Sequence, residues 1–287
     1  MTNLYIEDFL RHGLVERGLS ENTAQAYKHD LEQFFTFVGS GVEISEITSE
    51  HIRQYLAHLK LERRNSNRTI ARRLSTLKIF FRYMTIDSLW RVPEDPTLPF
   101  EPIKFQKTEP NHLTHAETER LLDTCLRYGT WPERDYALFS LFLQCGCRLV
   151  EAVSLTVSDL DLRESVVTFR GTDGKRRLVP LMPRTKVALR HYLVERGQLT
   201  IPDVFVNYHK TRGLSRRGIQ YILRTIVEKA GIDKPRITVH TLRYTYLVTL
   251  MDQGIDEETI QELIGHSCLT TTRNYTRNIK PRGRKAC

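Results

Sequence analysis

Four short segments carry residues whose types and spacing suit chemistry on a phosphodiester. The first is CGCRLVEAVSL, in which Arg148 and Glu151 stand three residues apart. The second is the turn GTDGKR with Lys175, and the third is HTLRYTY, in which His240 and Arg243 repeat the three-residue step. The fourth is LIGHSCLTTTRNYTR, with His266 and Tyr275. On a helix, residues i and i+3 share a face, so His240 and Arg243 can address one ligand together. A phosphodiester repels nucleophiles, and attack on it gathers charge on the non-bridging oxygens. Arginine is permanently cationic, and its planar fork of donors matches two such oxygens. Two arginines from separate segments, Arg148 and Arg243, would clamp a phosphate and stabilise the charge that develops. A tyrosine hydroxyl ionises near pH 10 and needs help to become a nucleophile. His240 is placed to act as general base or phosphate ligand, and His266 as a hydrogen-bond donor to phosphate or base. Taken singly, each residue has a plainer role: a helical ion pair, a helix cap, a surface lysine, a structural tyrosine. It is the combination that points to phosphoryl transfer.

The elements that must position these residues follow from periodicity and capping. The first 85 residues read as four helices. They span about 4–17, a second begun by Ser20 and running to about Val38, a third begun by Ser49 and running to about Leu61, and a fourth begun by Ser66. The fourth, NRTIARRLSTLKIFFRYM, sets Ile70, Leu74, Leu77, Phe81 and Met84 in one apolar stripe. Its Arg68, Arg72 and Arg73 fall away from that stripe. Residues 93–110 hold five prolines (Pro93, Pro96, Pro99, Pro102, Pro110), a density that ends helices and favours extended chain. A domain of residues 1–92, a linker of 93–111 and a second domain of 112–287 are expected. The second domain opens with a capping box, Thr114 to Glu117, on a helix to about Arg127. Helices follow near 132–145, after Arg148, near 184–196, 215–230, 240–253 and 257–265, and a short one across Tyr275. Residues 165–170 and 177–181 read as the two strands of a hairpin around the Lys175 turn.

Charge and composition narrow the partner. The chain of 287 residues has a formal net charge of +9, which favours a polyanion. Residues 1–100 hold 13 basic and 13 acidic residues, whereas 101–287 hold 30 and 21 and carry the whole excess. Inside the neutral part, 61–82 concentrates seven basic residues against Glu62 alone. Arg63, Arg64, Arg68, Arg72 and Arg73, with Arg177 beside the hairpin turn, are the candidate DNA contacts. No run approaches a membrane span and no signal-peptide core is present, so a cytoplasmic, nucleoid-associated protein is expected. Cys125, Cys145, Cys147, Cys268 and Cys287 include no paired zinc spacing and read as free thiols, so no metal is expected. The chain contains no GxxxxGK[ST] phosphate loop.

The four segments together resemble the tyrosine recombinase family of phage integrases, Xer-type resolvases and transposon-borne relatives. Gly146-Cys147-Arg148 with Glu151, His240-Thr241-Leu242-Arg243, Leu263-Ile264-Gly265-His266-Ser267 and the threonine-rich step into Tyr275 match the family pattern in order. The steps from Arg243 to His266 (23) and to Tyr275 (32) are similar to the family's own. The resemblance implies an all-α, SAM-like core-binding domain followed by a mainly α catalytic domain with a small β-hairpin or sheet. It implies a site of Arg148, Lys175, His240, Arg243, His266 and the nucleophile Tyr275, with Glu151 orienting Arg148 from behind. In the family's turn the proton donor to the leaving 5′ oxygen is a lysine placed early. That slot holds Thr172 here and Lys175 follows three residues later, so Lys175 or another residue is the acid. The implied reaction is site-specific DNA strand exchange through a 3′-phosphotyrosyl ester and a Holliday junction, without ATP, metal or other cofactor. The implied assembly is a homo-tetramer on two double-stranded DNA sites, monomeric when free, with accessory DNA-binding proteins in some relatives. Integration, excision, and dimer or transposon resolution all fit. A type IB topoisomerase-like relaxing enzyme, or a catalytically silent DNA-binding protein on this scaffold, are the alternatives.

Overall fold

The computed structural model describes residues 2–39, 41–88, 92–105, 111–171, 174 and 176–265. Lys175, His266 and Tyr275, and the short helix expected across Tyr275, lie outside the described residues. The chain divides into two compact units, 1–107 and 108–287. No helix among the described residues is long and apolar enough to cross a membrane.

The first unit is built from α1 (Thr2–Val15), α2 (Glu21–Val38), α3 (Ser49–Leu61) and α4 (Asn67–Ile86). Ser20 and Ser66 cap α2 and α4 by accepting from the amides of Thr23 and Thr69, both at 3.2 Å. For α3 the cap is Thr48, one residue before the expected Ser49: its amide N–H donates to His51 Nδ1 at 3.1 Å, and Ser49 is already helical. The apolar stripe of α4 is buried in full, and Phe34 meets both Tyr55 and Phe81 edge to face, at 5.2 and 6.1 Å. Edge-to-face pairs of this kind add roughly 0.5–1.5 kcal/mol each beyond area burial.

Two features of this unit are not visible in the sequence pattern. Arg72 is half exposed and Arg73 largely covered, and α2 brings Asp30 beneath both. Asp30 is buried, accepts from both terminal nitrogens of Arg72 and from the Thr76 hydroxyl at 3.0 Å, and lies 3.8 Å from Arg73 Nε. Arg73, 12% exposed, also donates to the Tyr55 hydroxyl at 3.1 Å. A buried carboxylate without cations is costly, so these two arginines are held by the fold. Arg63, Arg64 and Arg68 are exposed. The proline-rich stretch, read as a connector from residue 93, is seated on this unit over much of its length. Val92 donates to the Met84 carbonyl at 3.0 Å and is buried, Lys78 Nζ donates to the Phe100 carbonyl, and Phe100 and Ile103 pack on the helical core. Phe100 and Ile103 are apolar residues set among prolines, and the helices offer them apolar cover.

The second unit centres on α6 (Pro132–Cys145), which packs against α5 (His115–Tyr128), α8 (Pro183–Arg196) and α10 (Val239–Asp252). Ala137, Leu138, Phe139, Leu141 and Phe142 are all buried, so α6 is apolar around its circumference, as a central helix must be. The Thr114–Glu117 capping box starts α5 as the sequence implies. Short α7 (Leu149–Val153) follows α6, and α9 (Arg216–Lys229) and α11 (Glu257–Ile264) complete the helices. Between α7 and α8 lies an antiparallel sheet of β1 (Leu160–Asp161), β2 (Val166–Arg170) and β3 (Arg176–Pro180), in that order. Strand β1 was not expected; two residues are too few to show an alternation. In the register of β2 and β3, Val167 faces Val179 and Phe169 faces Arg177. Val167, Phe169 and Val179 are buried, so the period of two turns Arg177 inward with them, while Leu178 is 70% exposed.

Candidate active site

The site starts where α6 stops. Gly146 ends α6 in the left-handed region, φ +57°, and a Cβ there would stand 2.4 Å from Tyr246 Cδ1, so only glycine fits. The turn buries Cys147 and puts Arg148 at the N-cap of α7. Glu151, one turn into that helix, accepts from the Arg148 amide at 2.6 Å and from Arg148 Nη1 at 2.9 Å. The carboxylate thus caps the helix and holds the arginine head at once.

Arg243 comes from α10, which Thr238 caps by accepting from the Thr241 amide at 3.3 Å. It is 6% exposed. Its Nη1 donates to the Gly146 carbonyl and its Nη2 to the Ile264 carbonyl at 2.7 Å. Arg148 Nη2 donates to the next carbonyl, Gly265, at 2.6 Å. Arg177 donates through Nε to Leu263, at 3.1 Å. Three guanidinium groups from three elements therefore meet three successive carbonyls at the end of α11. Those carbonyls form the negative end of the helix, a natural partner for cations. Gly265 closes α11 with φ +68°.

The electrostatics fit a cationic centre with an ionised counter-charge. Burial, then the neighbouring charges of Arg148 and Arg177, bring the Arg243 pKa down to about 10, so it stays charged at neutral pH. Burial pushes Glu151 up, but the hydrogen bonds and charge of Arg177, followed by the bonds from Arg148, more than offset it. The net position is below 4.5. His240 lies one turn before Arg243 on α10. Desolvation of the ring first, and the Arg243 charge second, move it below 6.5, so a neutral imidazole prevails at pH 7. Burial raises Cys145 to about 12 and Cys147 well above 9, so both remain thiols. Cys125, Cys145 and Cys147 are free and buried; Cys268 and Cys287 lie outside the described residues.

Of the residues expected to act, the fold brings together Arg148, Glu151, Arg243 and, beside them, His240. Lys175, His266 and Tyr275 lie outside the described residues, which end at the position before His266. Arg177, expected as a DNA contact, is tied into this network: it is 12% exposed and pairs with both oxygens of Glu151, at 2.5 and 2.8 Å. The sequence held a signal for this, the alternation that puts Arg177 on the face of Val179.

Residues 111–282 match the phage integrase family, and residues 6–86 match the phage integrase N-terminal SAM-like domain. Tyrosine recombinase XerD of Listeria monocytogenes is 35% identical over 292 aligned positions, covering 98% of this chain and 96% of the relative. Tyrosine recombinase XerC of Roseiflexus sp. is 34% identical over 285 positions, covering 96% and 89%. In fold, the chain is similar to the crystal structure of XerH site-specific recombinase bound to palindromic difH substrate in a post-cleavage complex. The TM-score is 0.77 at 19% identity, with 98% and 93% of the two chains covered. At that identity the likeness speaks to the fold alone.

Proposed function

The chain belongs to the phage integrase family of tyrosine recombinases, and from that premise we propose that it cleaves and rejoins DNA at specific sites with Tyr275 as nucleophile. The observation that carries the reading is the convergence of Arg148 and Arg243, distant in sequence, on adjacent carbonyls at the end of α11. Two guanidiniums close enough to bond neighbouring carbonyls are close enough to share one phosphate.

In the proposed reaction the Tyr275 hydroxyl loses its proton and bonds to phosphorus. The bond to the 5′ oxygen breaks, and that oxygen takes a proton. The product is a 3′-phosphotyrosyl ester, which keeps the energy of the broken bond, so a 5′-hydroxyl from another strand can reverse the step without ATP. Arg148 and Arg243 stabilise the charge on the non-bridging oxygens. His240, neutral at pH 7, accepts the nucleophile's proton or orients the phosphate, His266 donates to the phosphate, and Lys175 protonates the leaving oxygen. Strand exchange proceeds within a homo-tetramer on two duplexes, through a Holliday junction, from subunits that are monomeric when free. Accessory DNA-binding proteins are compatible with this scheme, and a cytoplasmic, nucleoid-associated location follows from the substrate. The likeness to Xer-named relatives over nearly the whole chain favours an Xer-like enzyme. The match of residues 6–86 to the integrase N-terminal domain weighs against a topoisomerase IB-like enzyme.

The test is covalent trapping. Wild-type protein denatured during reaction with DNA of its own genome should carry nucleotide on Tyr275, located by nuclease digestion and mass spectrometry. Sequencing the attached DNA supplies the site. Tyr275→Phe should bind that site and yield no adduct; an adduct on another residue would end the assignment.

A further inference from the structure

Arg177 is bound on several sides by the protein itself. Its guanidinium lies 4.9 Å from the centre of the Phe169 ring, and its bonds among the described residues point inward. Nη1 and Nη2 take one oxygen each of Glu151, a fork-to-fork pairing, and Nε takes the Leu263 carbonyl. The backbone of Gly265 rests on the same side chain: a Cβ there would stand 2.8 Å from Arg177 Cδ. One residue of β3 therefore touches the acid that holds Arg148 and the helix end that Arg148 and Arg243 also grip.

We propose that Arg177 is a positioning residue for strand cleavage, fixing Arg148 through Glu151 and fixing the end of α11 directly. The inference rests on the recombinase reading. Its physical basis is that Arg148 is half-exposed on a long side chain, 41% accessible, whereas Glu151 is 2% accessible. Something rigid must define where the Arg148 head sits, and a buried carboxylate is rigid only if its own position and charge are secured. Arg148 alone supplies one side-chain bond to that carboxylate. Arg177 supplies two, from a strand pinned in a sheet. Without Arg177, burial would drive Glu151 toward its protonated form, which holds Arg148 less firmly. Lysine would restore the charge but not the fork.

The test uses full-length protein, single-turnover cleavage of a nicked suicide duplex carrying the site recovered from the wild-type adduct, and a pH series. Arg177→Gln should bind the duplex within about twofold of wild type and cleave it roughly ten- to a hundredfold more slowly, the scale of a small misplacement of a reacting group. Its acid limb should move to higher pH. Arg177→Lys should recover part of the rate and return the limb toward wild type. In a Glu151→Gln background, Arg177→Lys should cost less than it does alone, since the path through Glu151 is already cut and only the bond to the end of α11 remains to be lost. Wild-type cleavage by Arg177→Gln overturns the proposal. So does a loss of affinity, with a shallower salt dependence, that accounts for the whole loss of rate, because that marks a direct phosphate contact. If Arg177→Gln does not fold, the Lys variant and the double-variant cycle decide, and additive losses there count against coupling. A wild-type protein that forms no Tyr275 adduct removes the recombinase reading as well, whereas an active wild type with an indifferent Arg177 removes this inference alone.

Discussion

The two clamp arginines differ in how they are held, and that difference predicts how they tolerate change. Arg243 is enclosed and fixed by two carbonyls, whereas Arg148 is half-exposed and fixed by Glu151 and one carbonyl. Arg243→Lys loses the fork and cannot reach both carbonyls, so cleavage should fall by about 10²–10³, the worth of a lost oxyanion donor, with DNA affinity largely kept. Rate against affinity on the trapped site checks this. Glu151→Ala leaves Arg177 buried without its carboxylate and should cost about 3 kcal/mol in urea denaturation. His240 sets a pH prediction. Its pKa lies below 6.5, so the neutral form persists further into acid than an ordinary histidine would. If the neutral form is the active one, the acid limb of wild-type cleavage is centred at lower pH than an ordinary histidine would give, and His240→Asn abolishes that limb. A limb centred above the ordinary histidine range would contradict the role.

At the scale of elements, what could be read from sequence was what local chemistry decides. The caps Ser20, Ser66 and Thr114 are legible because the bond spans three residues. The stripe of α4 is legible because burial follows the helical period. Thr114→Ala should therefore cost about 1 kcal/mol, while Ser49→Ala should cost almost nothing, since Thr48 does the capping. Chemical denaturation of the two variants separates them. What was not legible depends on partners far along the chain. Asp30 beneath Arg72 lies 42 residues away, and no helical wheel of α4 shows it. The seating of Phe100 and Ile103 needs the surface they cover. For the site, the residue types and their order marked Arg148, Glu151, His240 and Arg243, but not that Arg177 shares Glu151 or that α11 supplies the carbonyls. Those contacts join segments 26 and 117 residues apart.

For the molecule as a whole, the balance of charge separates arginines that serve the fold from those open to a ligand. Arg63, Arg64 and Arg68 are exposed in a stretch, residues 1–100, whose basic and acidic residues balance. If they meet the DNA backbone, replacing each by alanine should weaken binding to all sequences alike and reduce the slope of log affinity against log salt by about one per residue. Arg72→Ala and Arg73→Ala should instead lower thermal stability, because Asp30 stays behind. The opposite pattern would mean that these two leave Asp30 for the backbone. The last turn of α11 has a wider consequence. Each clamp arginine carries five N–H groups, and among the described residues Arg243 commits only two of them, both to carbonyls. An arriving phosphate must share these cations with the turn that leads into His266. Linkage then makes the exchange reciprocal: whatever factor DNA imposes on opening of that turn, a disturbed turn imposes on affinity for DNA. Hydrogen exchange at the amides of Leu263, Ile264 and Gly265, with and without the duplex, reads one side of that equality, and the affinity of Gly265→Ala reads the other. Amides indifferent to DNA would mean that helix and phosphate draw on separate donors.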